Sequence, residues 1–492
     1  MELVAESIDI GTRAPTVLLN EADAAELGVH ALERIQLRRD GKTTIGIVEL
    51  TDELIPEGTL GVTRRLGHID GTVTVSVAPQ PNSVYYIRKK LDDIELERRE
   101  LECIVRDIYE ERLADIELGA YVSAMYTNGL SMEETMHLTS CMANIGETIS
   151  WDDEIIADKH SIGGVAGNRI TPILVPIVAA AGVKIPKTSS RAVTSASGTA
   201  DTMEVLCDVE FSIGEIREIV ETTGGCLVWG GAVNLSPVDD QIIRAETPLS
   251  LDPVGQLIAS VLSKKKSAGS THIVIDIPYG EGAKVESLAE ARELAEDFNR
   301  VSDHLEMTTE CAITNGSAPV GTAIGPVFEA REVLATLDGD GPNDLRLKAI
   351  RLADLLFESV GVDADAEELL DSGAADATFR EILAAQNGDP GVEIADLSPG
   401  RHTQPVHADR DGVVTHINNR LVNEVARRAG APKDHGAGLK LHRGVGETTT
   451  TDELLATVHA ESTDKLADAV ALLERVEMIR VRHPDEALVE RI

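Results

Sequence analysis

Two segments carry the residue types best suited to chemistry: DKHSIGGVAGNR, which begins at Asp158, and KTSSRAVTSASGTADTMEVL, which ends at Leu206. The first sets Lys159 and Ser161 beside Gly163 and Gly164. The second gathers Ser190, Arg191, Thr194, Ser195 and Thr199 among small residues. A lysine, grouped hydroxyls and glycines that leave backbone N–H groups open to a guest are what an anion site needs, and phosphate is the anion they suit. Glycines and serines between apolar runs also make ordinary turns, and either loop alone is compatible with that. Between them lies ITPILVPIVAAAGVKIP, an apolar run that reads as a buried strand or helix carrying one loop toward the other.

KHSIGGV followed by SSRAVTSASGTADTME resembles the signature of the nucleoside phosphorylase family that includes thymidine and pyrimidine-nucleoside phosphorylases. The second loop is also similar to that of anthranilate phosphoribosyltransferases. The stretches IIRAETPLSLDPVGQLIASVLSKKKSAG and TNGSAPVGTAIGPVFEAREVL extend the resemblance over about residues 90 to 475. Where thymidine phosphorylases have GLGHTGGT, this chain has AVTSASGT from Ala192 to Thr199, so a histidine is lost and hydroxyls are gained. Together with an added N-terminal segment of about 85 residues, the pattern resembles the archaeal AMP phosphorylases. Those enzymes convert a nucleoside 5′-monophosphate and inorganic phosphate to free base and ribose 1,5-bisphosphate.

The resemblance implies roles residue by residue. Lys159, Ser161, Ser190 and Thr199 match positions that hold inorganic phosphate, and an ammonium with three hydroxyls can satisfy several phosphate oxygens. Gly164 allows close backbone approach. The loop Ser190, Arg191, Ala192, Val193, Thr194, Ser195 is expected to clamp the nucleotide's own 5′-phosphate, although Arg191 also has Asp201 and Glu204 nearby for a structural ion pair. His160 matches a position beside phosphate and ribose. Ser260 and Lys264 stand at helical i and i+4 spacing and so share a face toward the base; Lys284 follows a glycine-bearing loop and completes the anion cage.

Phosphorolysis of an N-glycosidic bond develops positive charge on the ribose, so holding an anionic phosphate beneath C1 and helping the base leave supply most of the catalysis. No serine or cysteine nucleophile is required. Asp252 is the expected acid for the departing base: it matches an aspartate of the phosphorylase segment and has apolar neighbours in SLDPVGQLIAS to desolvate it. It is equally placed to cap a helix opening at Pro253, and both readings stand. Arg244 resembles a base-contacting arginine only across a one-residue gap and is set aside. Inorganic phosphate is a co-substrate, and no cofactor or metal is expected; the thirteen histidines show no ligand spacing. The competing readings are a pyrimidine-nucleoside or thymidine phosphorylase, a phosphoribosyltransferase using Mg²⁺, and a non-catalytic adaptor built on the N-terminal segment.

Acidic residues number 84 against 45 basic ones, a net charge of −39 over 492 residues. Nucleic acid and anionic membrane need basic surface, so neither is expected as a partner; small-molecule nucleotide and phosphate are. Only 14 of the basic residues are lysine, a composition resembling that of salt-adapted proteins, whose self-repulsion high salt screens. Half of those lysines fall between Lys159 and Lys284. Among them Lys265 and Lys266 read as part of a charged run without individual roles. The N-terminus lacks a signal-peptide pattern and no apolar span reaches membrane length, so a cytoplasmic protein is expected. A homodimer or larger homo-oligomer is expected too.

The fold class expected is multidomain α/β. Residues 1–84 alternate short β-like runs with Gly/Asp turns, a small β-rich module similar to a double-psi barrel. Residues 85–157 turn helical, with Ser131 three residues before Glu134 in capping-box spacing, and 237–268 complete this discontinuous helical domain. Residues 158–236 and 269–398 read as a central α/β domain that carries both loops. Residues 399–492 read as a smaller α+β domain. The acidic stretch from Asp363 to Leu383 is expected to form a helix and surface turn.

Overall fold

β-Branched residues alternate with polar ones through the first 77 positions, and six strands form there: β1 (Glu2–Ile8), β2 (Thr16–Leu19), β3 (Arg34–Arg39), β4 (Lys42–Leu50), β5 (Thr59–Thr63) and β6 (Gly71–Val77). The computed structural model describes residues 1–12, 14–192 and 195–483. The strands close into a barrel in the order β1-β5-β2-β4-β3-β6, with β6 returning antiparallel to β1. Their alternation turns Val17, Leu19, Ile35, Val48, Leu60 and Val62 inward.

Four helices follow, Asn82–Leu91, Arg98–Tyr109, Asp115–Asn128 and Met132–Ile145. Leu101, Ile104, Tyr121, Met125 and Leu138 form a core that also takes in Val238, Ile242 and Ala259 from far along the chain, so the helical domain is discontinuous. The expected capping box is present: Glu134 N donates to Ser131 Oγ at 3.1 Å, and Ser131 N donates to the Glu134 carboxylate at 2.8 Å. That carboxylate also receives Lys90 Nζ at 2.8 Å, with both side chains buried.

The chain divides into two compact units, Met1–Ile145 with Pro237–Ser260, and Gly146–Ser236 with Val261–Ile492. The division falls inside the helix Val254–Ser267.

In the second unit, β7 (Ala157–Ser161), β8 (Ile185–Ser189), β9 (Gly225–Trp229), β10 (His272–Tyr279) and β11 (Thr308–Asn315) pair in parallel, in the orders β11-β10-β7 and β8-β9. Ala157 N donates to Lys184 O at 2.9 Å, tying β7 to the approach of β8. The apolar run between the two loops resolves into the helix Thr171–Ala180 and then β8. Every helix position from Thr171 to Ala179 is buried, which is why periodicity alone left helix and strand open. The acidic stretch after Asp363 forms two helices, Ala366–Asp371 and Ala374–Ala385, and sends Leu370, Phe379, Ile382 and Leu383 into the main core.

The C-terminal α+β part contains two antiparallel sheets. One is ordered β12 (Ala323–Ile324), β15 (Gly438–Leu441), β17 (Leu454–Ala460), β13 (His402–His407); the other is β16 (Thr448–Thr449), β14 (Gly412–Ile417), β18 (Ile479–Arg482). The helices Asn419–Arg428 and Thr463–Leu473 cover them. One strand from the stretch before residue 399, β12, joins this part by pairing with β15. No helix among the described residues is long and apolar enough to cross a membrane.

Candidate functional site

Parallel pairing of β7 with β10 sets Ser161 beside Asp276. Asp276 is fully buried and accepts from Ser161 Oγ at 2.7 Å, Thr314 Oγ1 at 2.6 Å and Asn168 Nδ2 at 3.2 Å. Lys348 Nζ lies 2.9 Å from Asp276 Oδ2 as an ion pair, off the angle of a directed hydrogen bond. Two residues before Ser161, and therefore on the same face of the strand, Lys159 is 1% exposed. Its Nζ donates to Ser161 Oγ at 2.5 Å and Thr171 Oγ1 at 3.2 Å. Burial pushes the Lys159 ammonium down to about 7; Asp276 partly offsets this, while Lys348, Arg169 and Lys265 add to it. Asp276 is also shifted down: burial raises it, but Lys348, Lys159 and its hydroxyl donors hold it below the usual carboxylate value. The result is a buried lysine–carboxylate cluster inside a strongly acidic protein.

The opposite face of β7 carries Asp158, also fully buried, which accepts from Lys265 Nζ and Ser270 Oγ, each at 2.9 Å. Lys187 Nζ is 3.9 Å away. The sequence reading of Lys265 as part of a surface run is therefore corrected: it is 2% exposed and neutralises Asp158. Lys266 is exposed and donates to Leu305 O at 2.7 Å. Burial, then Lys265, Lys187, Lys159 and Lys264, drive His160 well below its ordinary value, so its imidazole is neutral at pH 7.

Gly163 and Gly164 turn the first loop with φ of 92° and 84°. A Cβ on Gly164 would lie 2.5 Å from Lys284 N, so glycine there lets the loop rest on the Ala283–Lys284 backbone. The second loop leaves β8 at Ser189 and closes on itself before the short helix Thr199–Met203. A Cβ on Gly198 would meet Ser190 O at 2.5 Å and Ala192 N at 2.7 Å. Asp201 Oδ2 accepts from both Gly198 N and Ala192 N at 2.7 Å, and Ser195 Oγ donates to Ser197 O at 2.9 Å. Arg169 connects the loops. It donates to Thr199 Oγ1 at 2.9 Å and Ser197 O at 2.6 Å while Glu329 Oε2 receives its Nε at 2.6 Å. Two buried atoms beside the loops, Asn168 Oδ1 and Ser189 Oγ, have no hydrogen-bond partner among the described residues.

Three family models match the chain: the glycosyl transferase family helical bundle domain over residues 84–146, its a/b domain over 153–339, and the pyrimidine nucleoside phosphorylase C-terminal domain over 413–479. AMP phosphorylase of Natronomonas pharaonis is 59% identical over 499 residues, covering 100% of both chains. The chain belongs to the AMP phosphorylase family. Another AMP phosphorylase, from Thermococcus kodakarensis, is 45% identical over 486 residues and 96% of each chain. A solved anthranilate phosphoribosyltransferase from Thermus thermophilus shares the fold with a TM-score of 0.53 at 16% identity, over 61% of this chain and 99% of that one.

Against this family background the expected residues fall into groups. Lys159 and Ser161 lie on β7 with Gly164 just after it, and Ser190, Ser195 and Thr199 follow β8 in sequence. Lys284 is exposed beside Gly164. Ser260 Oγ donates to the buried Asp239 at 2.9 Å, and Lys264 follows one turn later on the same helix. Arg191 is held by Glu204 at 2.6 and 2.7 Å and by Glu210 at 3.2 Å, and its guanidinium lies 4.8 Å above the Trp229 ring. Ala192 gives its N–H to Asp201 rather than leaving it open. Val193 and Thr194 lie outside the described residues. Asp252 is exposed, so the desolvation expected from its apolar neighbours is absent in this structure. Sequence reasoning missed Arg169, Asp276 and Lys348, of which only the NR pair at Asn168 and Arg169, inside the first motif, left a local signal.

Proposed function

We propose that this chain catalyses phosphorolysis of AMP, giving adenine and ribose 1,5-bisphosphate, and that related nucleoside 5′-monophosphates are also substrates. The observation that supports this is the linking of the two loops by Arg169, which we read as two sets of anion-binding groups in one site. In this reading Lys159, Ser161, Ser190 and Thr199 hold inorganic phosphate beneath C1. The loop from Ser190 to Ser195, with Gly164 and Lys284, receives the nucleotide. Ser260 and Lys264 face the base, and Asp252 supplies the proton or strong hydrogen bond that it needs to leave.

Positioning dominates this chemistry. Phosphate is already nucleophilic at neutral pH, and fixing it against C1 removes translational freedom that otherwise costs several kcal/mol. Lys159, held part-neutral by burial, gains its proton most favourably when a phosphate dianion arrives, so charge is supplied where and when it is used. The enzyme is expected to work in the cytoplasm at high salt, as its acidic surface suits. The exposed Tyr85, Ile116 and Tyr126 of the helical bundle support assembly as a homodimer or larger homo-oligomer.

The test is a panel of AMP, CMP and UMP with the matching nucleosides, incubated with and without phosphate and read for free base. Phosphate-dependent adenine release from AMP, with little from adenosine, is expected. Equal rates with AMP and adenosine at subsaturating concentration would leave a nucleoside phosphorylase instead.

A further inference from the structure

We infer that Asn419 and Asn423, one turn apart on the helix Asn419–Arg428, are positioning residues that set the spacing of the two phosphate loops. Ala166 N, in the first loop, donates to Asn419 Oδ1 at 3.0 Å. Ala196 N, in the second, donates to Asn423 Oδ1 at 3.0 Å. The amide nitrogens are used as well: Asn419 Nδ2 donates to Gly316 O at 2.9 Å, and Asn423 Nδ2 donates to Asn419 O at 3.1 Å. Both side chains are buried, and Ala166 and Ala196 are themselves part of the C-terminal core with Val422, Val425 and Ala426.

Spacing of i and i+4 puts the two amides on one face of the helix, displaced by about 6 Å along its axis. A helix is stiff over one turn, so it acts as a ruler: each loop's backbone is pinned at one point, and the two points cannot drift apart. Asparagine suits both positions because it offers an acceptor to a loop N–H and a donor to a nearby carbonyl at once, without burying a charge. Asn418 fixes the start of the ruler, its side chain accepting from Leu421 N at 3.0 Å. The C-terminal part, to which the sequence assigned no chemical role, thus governs the geometry of both anion sites.

The inference rests on the proposed reading of the two loops as phosphate and nucleotide sites, and its test separates the two. Asn419→Ala and Asn423→Ala are compared with the unaltered chain by hydrogen exchange of peptides spanning residues 162–170 and 190–199, and by steady-state kinetics with AMP and phosphate each varied. Each variant is expected to speed exchange mainly in its own loop. Both variants should raise KM for phosphate about tenfold, because both loops carry residues assigned to it, and Asn423→Ala should raise KM for AMP similarly, with smaller losses in kcat. Asn419→Ser and Asn423→Ser, which disturb packing less, should show the same pattern in weaker form. Unchanged loop exchange, or a fall in kcat with both KM values unaltered, would reduce the asparagines to general stability and overturn the inference. Exchange that responds in a chain without activity on AMP would instead uphold the ruler and reject the substrate reading.

Discussion

Arg169, from the first loop, donates its guanidinium to the Thr199 hydroxyl of the second at 2.9 Å. The same side chain reaches Ser197 O and is anchored by the buried Glu329, whose Oε2 also receives Thr202 Oγ1 at 3.0 Å. Two segments thirty residues apart in sequence therefore share one bridge, which couples the two loops. Arginine's planar fork presents its donors in fixed directions, which here serve three partners at once.

Arg169→Lys should keep a positive charge for Glu329 but lose the fork. KM for AMP and KM for phosphate are both expected to rise, with kcat/KM falling by about 1–2 kcal/mol for each. Varying the two substrates separately checks this. A change confined to one of them would mean the bridge does not couple the loops.

Lys159→Ala removes the cation expected to neutralise inorganic phosphate. A loss of about 2–3 kcal/mol in kcat/KM for phosphate is expected, the scale of a charge-assisted contact, with a smaller effect on KM for AMP. Kinetics over a wide phosphate range measures it. An unaltered phosphate dependence would make the first loop a structural turn.

Phosphate binding should take up a proton above neutral pH. Free Lys159 sits near 7, so at pH 8 it is mostly neutral. A bound dianion favours the ammonium and lifts that value, so the complex holds more protons than the free enzyme. Affinity for phosphate should therefore weaken as pH rises above about 7, and titration calorimetry of phosphate at pH 8 should give a heat that depends on the buffer's ionisation enthalpy. Lys159→Arg, charged throughout this range, should abolish that dependence.

Asp252→Asn keeps shape and helix-capping ability while losing the acid. A fall in kcat of about 100-fold with little change in KM for AMP is expected. Near-normal turnover with a lowered melting temperature would assign Asp252 to capping the helix Val254–Ser267.

Much of the site was legible because its parts are local. The lysine and hydroxyl of the first loop lie within three residues of each other, and the spacing of Ser131 and Glu134 announced a capping box that formed. What stayed hidden depends on distant pairing. Asp276 comes to Ser161 only through the register of β7 with β10, across 115 residues, and Lys348 reaches the same carboxylate from a helix further on. Asn419 and Asn423 look like polar positions of an amphipathic helix until the loops are seen packed against them. Lys265 was misread because a lysine run looks solvated, and nothing nearby in sequence reveals that Asp158 waits for one of the three. Arg191 illustrates the reverse: its carboxylate partners were visible in sequence, and Glu204 does hold it.

Phosphorus NMR of AMP with inorganic phosphate and the enzyme tests the central claim most directly. The account predicts that the inorganic phosphate signal falls in step with adenine release while a sugar carrying two phosphorus signals grows, one from the retained 5′-ester and one from a new ester at C1. Adenine released with inorganic phosphate undiminished and ribose 5-phosphate as the sugar product would contradict it, because water rather than phosphate would then be the nucleophile.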